Sequence, residues 1–175
     1  MNPPLIVVMG VSGCGKSTVG QLLAQALGAP YVEGDDLHSP ENVERMRSGV
    51  ALNDAQRHDW LQALAARLAA AHAQAQPLVV SCSALKRSYR DILRSGAPDL
   101  CLVHLHGTPQ VLAARAAQRQ GHYMPVSLLD SQFAILEIPS DDERVMRFDV
   151  TLDPLDIVRG TVAALQAGGR LAGGH

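Results

Sequence analysis

Gly10-Val11-Ser12-Gly13-Cys14-Gly15-Lys16-Ser17 is the stretch that decides how this chain reads. It completes the spacing G-x-x-x-x-G-K-[ST], in which glycines let the backbone wrap closely round phosphate oxygens. The N–H groups of the helix that follows point at the same anion. Lys16 has the length to reach the β- and γ-phosphates of a nucleotide, and the Ser17 hydroxyl can ligate Mg2+. The expected phosphate cradle is therefore Gly10, Val11, Ser12, Gly13, Cys14, Gly15, Lys16, Ser17 and Thr18. A flexible turn would account for the glycines, but not for this motif sitting at the first junction between a strand and a helix.

Working outward, Leu5–Met9 is a short apolar run ended by Gly10, and Lys16–Leu27 has helical spacing before it stops at Gly28. Tyr31–Glu33 reads as a brief second strand. Asn53 and Asp54 can cap a long Ala-rich helix running to about Gln74 and closed by Pro77. Leu78–Cys82 and Leu100–Leu105 are the third and fourth strands, with a helix near Lys86–Arg94 between them. Pro109–Gln118 is helical, Gly121-His122-Tyr123-Met124-Pro125 interrupts it, and Val126–Leu136 resumes a helix. Val145–Thr151 is the fifth strand, and Pro154 opens the last helix. This alternation predicts an α/β fold: one doubly wound, parallel, five-stranded sheet flanked by helices, in a single domain over residues 1–175 with a frayed tail at 168–175.

Hydrophobic residues make up 47 % of the chain and aromatics only 3 %, so the core rests on Ala, Leu and Val, which suits helices packed on a parallel sheet. A net charge of -2 gives no general attraction to nucleic acid or an anionic membrane. No run approaches about 20 apolar residues, and no basic flank precedes the first apolar stretch, so neither a membrane span nor a signal peptide is expected. Cys14, Cys82 and Cys101 lack metal-ligand spacing and read as thiols of a reducing compartment. The expected location is the cytoplasm.

Nucleotide switches usually carry N-K-x-D for guanine, which is absent here. Motor ATPases usually end an apolar strand in Asp, whereas the third strand here ends Val79-Val80-Ser81-Cys82-Ser83. Acidic groups stand instead at the end of the second strand, in Glu33-Gly34-Asp35-Asp36. That strand end lies at the carboxyl edge of a doubly wound sheet, beside the phosphate loop. A carboxylate there can orient an acceptor hydroxyl or hold a metal-bound water.

Several blocks, taken together, resemble the gluconate kinase family. They are Gly34-Asp35-Asp36-Leu37-His38, Asn42-Val43-Glu44-Arg45-Met46, Leu52 to Leu61, Cys82 to Asp91, Arg119-Gln120-Gly121-His122 and Ser131-Gln132-Phe133. The match runs from about Val7 to Leu165 with the blocks in family order. The resemblance implies a fold like that of shikimate and nucleoside monophosphate kinases. It also implies ATP and Mg2+ as cosubstrates, transfer to the 6-hydroxyl of D-gluconate, and a homodimer. Family members often carry Asp where this chain has Glu33, which puts the link of Glu33 to the metal through water in question.

The candidates divide by role. Lys16 neutralises phosphate, Ser17 holds metal, and Asp35 orients the attacking hydroxyl. A carboxylate-bearing acceptor needs a cation, and Arg57, early in the long helix, can grip it through two parallel hydrogen bonds. Lys86 and Arg90, four apart after the third strand, serve substrate or phosphate, and His38 contacts substrate hydroxyls. Arg115 and Arg119 lead into the Gly/Pro insert, which suits a lid over about 115–130 that brings arginines to the phosphates and makes Arg119 catalytic. The competing readings are a sister kinase for shikimate, another sugar acid or a nucleotide, and a nucleotide-dependent switch without chemistry.

Overall fold

The computed structural model describes residues 2–118 and 127–171. Five strands, β1 (Leu5–Met9), β2 (Tyr31–Glu33), β3 (Leu78–Ser81), β4 (Cys101–His106) and β5 (Val145–Asp149), form one sheet in the order β2-β3-β1-β4-β5. Every pairing is parallel. The central strand β1 is buried along its whole length, as a continuous apolar run between two neighbours requires.

Helices α1 (Lys16–Leu27), α2 (Pro40–Arg47), α3 (Asp54–Ala73), α4 (Arg87–Gly96), α5 (Pro109–Gln118), α6 (Ser127–Ile135) and α7 (Pro154–Leu171) connect and flank the strands. The doubly wound sheet expected from the sequence is observed. Helix α3 starts where Asn53 and Gln56 form a reciprocal capping box. Helix α1 ends at Gly28 in the left-handed conformation, which glycine adopts without steric cost. The last helix continues to Leu171, past the point at which the tail was expected to fray, and residues 172–175 lie outside the described residues.

Two features aim the carboxyl edge of the sheet. Gly34 follows β2 and passes so close to β3 that a Cβ on it would stand 2.0 Å from the Ser81 carbonyl oxygen. Only glycine allows this approach, and it lays the Gly34–Leu37 turn across the strand ends. Trp60, from α3, then donates its indole N–H to the Gly34 carbonyl at 2.7 Å, fixing the long helix against the same edge.

On the far side, Arg90 of α4 is 1 % exposed and binds the equally buried Glu143 through two bonds of 2.7 and 3.1 Å. Its remaining terminal nitrogen donates to the carbonyls of Ala84 and Leu85. Arg94 adds a further bond to Glu143 at 2.9 Å. This buried cluster ties α4 to the segment leading into β5.

Candidate active site

The phosphate loop, the Gly34–Leu37 turn, the start of α3, Ser83 after β3 and Gln132 of α6 line a cleft at the carboxyl edge. Ser12, Gly13, Gly15, Lys16 and Ser17 line it from the loop, and Asp35, His38 and Arg57 face them. Gly10, Val11 and Cys14 are buried beneath, where they shape the loop, and Thr18 is exposed beyond it. Gly15 leads the loop into α1 with a φ of 92°, in the left-handed region. The Lys16 ammonium donates to the Val11 carbonyl at 3.2 Å, which holds it over the loop.

The end of β2 reaches the loop through a hydroxyl and carboxylate network. Glu33 pairs in register with Ser81. Its carboxylate accepts from Ser17 at 2.5 Å, from Tyr31 at 2.7 Å and from Ser81 at 2.7 Å. Burial alone would raise the Glu33 pKa, but these three hydrogen bonds and the Lys16 charge outweigh it and hold the carboxyl below its usual range. Glu33 is thus ionised beside the Ser17 hydroxyl. Hard oxygen donors of this kind fit Mg2+. The acid that the third strand lacks is delivered to its tip by the neighbouring strand.

His38 stacks on Trp60, with ring centroids 4.0 Å apart and planes 19° from parallel. Burial, reinforced by the Arg57 charge, pushes its pKa down to about 4, so the imidazole is neutral at ordinary pH. Its Nδ1 is buried without a hydrogen-bond partner among the described residues. The Cys82 thiol is raised to about 12 by burial, which leaves it inert.

Arg57 is only 8 % exposed and makes a single hydrogen bond among the described residues, to the Tyr89 hydroxyl at 3.3 Å. No carboxylate pairs with it among those residues. Its other N–H groups have no partner among the described residues and stand in the wall of the cleft, which is where an anionic ligand would meet them.

Two expected substrate residues are corrected. Arg90 is turned into the fold, with its guanidinium fully engaged by Glu143 and two carbonyls. Lys86 does not line the cleft; its ammonium sits on Asp54, with bonds of 3.1 and 3.3 Å. Arg115 is also directed away, donating to the Val150 carbonyl at 2.5 Å, although its neighbour Ala116 packs close to Gly13. Arg119 and the middle of the expected lid, residues 119–126, lie outside the described residues.

Residues that the sequence reading did not assign to the site are Met46, Leu52, Trp60, Ser83 and Gln132. Gln132 accepts from the Ser12 N–H at 2.7 Å, so α6 touches the phosphate loop directly. A nearly buried glutamine beside Leu128 and Leu129 was the available signal, since a polar group in such a position needs a partner.

Comparison with known proteins agrees with this geometry. Residues 5–138 match the family described as AAA domain. The chain is similar to the gluconokinase of Gluconobacter oxydans, at 44 % identity over 95 % of this chain and 94 % of that protein. The crystal structure of a gluconokinase from Sinorhizobium meliloti superposes with a TM-score of 0.87, at 48 % identity and with 99 % of both chains covered. A shikimate kinase from Aquifex aeolicus shares the fold alone, with a TM-score of 0.57 at 17 % identity, 97 % of this chain and 99 % of that one being covered.

Proposed function

The chain belongs to the gluconokinase family of ATP-dependent small-molecule kinases, and we propose that it transfers the γ-phosphoryl group of ATP to the 6-hydroxyl of D-gluconate. The observation that carries the acceptor assignment is Arg57, a nearly buried guanidinium without a carboxylate partner among the described residues, facing the same cleft as Lys16 and Asp35. Gluconate offers a carboxylate at one end and a primary hydroxyl at the other, which matches a cation at one wall and an acid near the phosphates.

In this reading the loop N–H groups and Lys16 bind the phosphates and counter the charge that spreads over the γ-phosphoryl oxygens. Asp35 orients the 6-hydroxyl and takes its proton as the new P–O bond forms and the bond to ADP breaks. Arg57 fixes the carboxylate, and neutral His38 presents an imidazole to the acceptor hydroxyls. Ser17 and Glu33 would hold Mg2+, Glu33 through water, and the ion supplies charge neutralisation at the β- and γ-phosphates. In the same reading Arg119 supplies a further cation to the phosphates. A cytoplasmic location belongs to the same proposal, supported by the use of ATP and by three free, buried cysteines.

A coupled ADP-release assay over gluconate, its epimers, free sugars, shikimate and nucleoside monophosphates tests the proposal. Gluconate should give the highest kcat/KM, by about a hundredfold over uncharged sugars. Faster turnover of shikimate or a nucleotide would overturn it.

A further inference from the structure

Arg57 is held by an unusual partner. Its NH1 group donates to the Tyr89 hydroxyl at 3.3 Å, and its guanidinium carbon lies 5.4 Å from the Tyr89 ring centroid. A phenol has one proton to give, and Tyr89 gives it to Asp54 at 2.5 Å. Toward Arg57 it therefore presents lone pairs, which is what a guanidinium needs.

Asp54 is in turn gripped by Lys86, which donates to both of its carboxylate oxygens. The negative charge nearest this corner is kept on Lys86, and Arg57 is left with a neutral oxygen. A direct Arg57–Asp54 ion pair would have occupied the guanidinium and closed it to an incoming anion. Tyr89 prevents this by standing between them, with Lys86 on its ring as well, 5.6 Å from the centroid. Because Tyr89 is 4 % exposed, its ring is fixed by packing, and the hydroxyl position follows from the ring.

We propose that Tyr89 is a positioning residue: its hydroxyl, oriented by the Asp54–Lys86 pair, aims Arg57 at the acceptor carboxylate while keeping the guanidinium out of a direct ion pair with Asp54. The proposal rests on the assignment of Arg57 to the carboxylate. It gives Asp54 and Lys86 a task outside the cleft, and Tyr89 two separable ones. The ring packs the junction of α3 and α4, and the hydroxyl sets the guanidinium.

Tyr89→Phe keeps the ring and deletes the hydroxyl. The gluconate KM, and its Kd by calorimetry, should rise about fivefold or more. The kcat and the ATP KM should stay within about twofold, since neither depends on Arg57 orientation. In an Arg57→Ala background, Tyr89→Phe should add less than about twofold, because residues that act through one another are non-additive. Asp54→Ala, at an exposed position, should raise the gluconate KM in the same direction without disturbing the fold.

An unchanged gluconate KM in Tyr89→Phe or Asp54→Ala would overturn the proposal. So would an undiminished Tyr89→Phe effect in the Arg57→Ala background, or parallel losses in kcat and ATP KM, which mark a purely structural role. Arg57→Ala with a normal gluconate KM would overturn the underlying assignment of Arg57. A large Arg57→Ala effect beside a silent Tyr89→Phe would overturn the positioning role alone.

Discussion

The Ser17 hydroxyl donates to Glu33 at 2.5 Å, joining the phosphate loop to the end of β2. Tyr31 donates to the same carboxylate oxygen and Ser81 to the other one, so the orientation of Glu33 is set before any metal arrives. Glu33→Gln keeps the shape and removes the charge. It should raise the Mg2+ concentration for half-maximal turnover by about ten- to a hundredfold. Mn2+ binding in the presence of a non-hydrolysable ATP analogue, followed by electron paramagnetic resonance, should weaken in parallel. An unaltered metal requirement would assign Glu33 to the fold.

Much of the frame was legible because it is written in local chemistry. Gly10 and Gly28 bound the first strand and helix, Asn53 caps α3, and the phosphate loop occupies the first strand–helix junction. Side-chain partners were not legible. The spacing of Lys86 and Arg90, four apart, suggests neighbours on one helix face, but α4 begins only at Arg87 and Lys86 is its extended cap. The two side chains therefore go to Asp54 and to Glu143. The Arg90–Glu143 pair spans 53 residues, a separation that no periodicity reveals. The role of Glu33 depended likewise on the parallel register that sets it beside Ser81.

A half-buried histidine, His38, and a buried one, His104, give the fold a pH dependence. His38 and His104 are both held down to about 4, by burial first, with Arg57 adding to it at His38 and His106, Arg147 and Arg90 at His104. Between about 6.5 and 4, the unfolded chain binds protons that the folded chain refuses. Stability should therefore fall as pH is lowered through that window. His104→Leu, which leaves the cleft intact, should remove roughly half of the slope contributed by these two groups. Urea unfolding at pH 7, 6 and 5 measures it, and parallel profiles for variant and parent would refute the assignment to His104.

The Arg90–Glu143 cluster should govern stability without governing acceptor binding. Burial would raise the Glu143 pKa, yet Arg90 and Arg94 outweigh it and bring the group down to about 2. Its contribution is present above the ordinary carboxylate range and is lost as pH falls toward 2. Glu143→Ala strands a buried cation and should cost about 3–5 kcal/mol, lowering Tm by roughly 10 °C. Replacing both partners, as Arg90→Met with Glu143→Leu, should recover a substantial part of that loss. Gluconate KM measured well below Tm should stay within about twofold in every variant that folds. A selective rise in KM for Arg90→Met would return Arg90 to the acceptor site.

Asp35 and Arg57 line the same cleft but should fail in different ways. Asp35→Asn keeps shape and hydrogen bonding while losing charge and basicity, so kcat should fall with ATP binding nearly unchanged. Arg57→Ala removes the cation from the carboxylate end, and a charged hydrogen bond is worth about 1.5–3 kcal/mol. That corresponds to roughly ten- to over a hundredfold in gluconate KM. Glucose separates the two effects, because it keeps a primary hydroxyl and lacks the carboxylate. Trace activity on glucose should hardly respond to Arg57→Ala, yet collapse in Asp35→Asn. Equal sensitivity of gluconate and glucose to Arg57→Ala would place Arg57 with the phosphates or the fold. The carboxylate would then need a cation from elsewhere, and the pairing of Lys86 with Asp54 makes Lys86 available only if that ion pair opens.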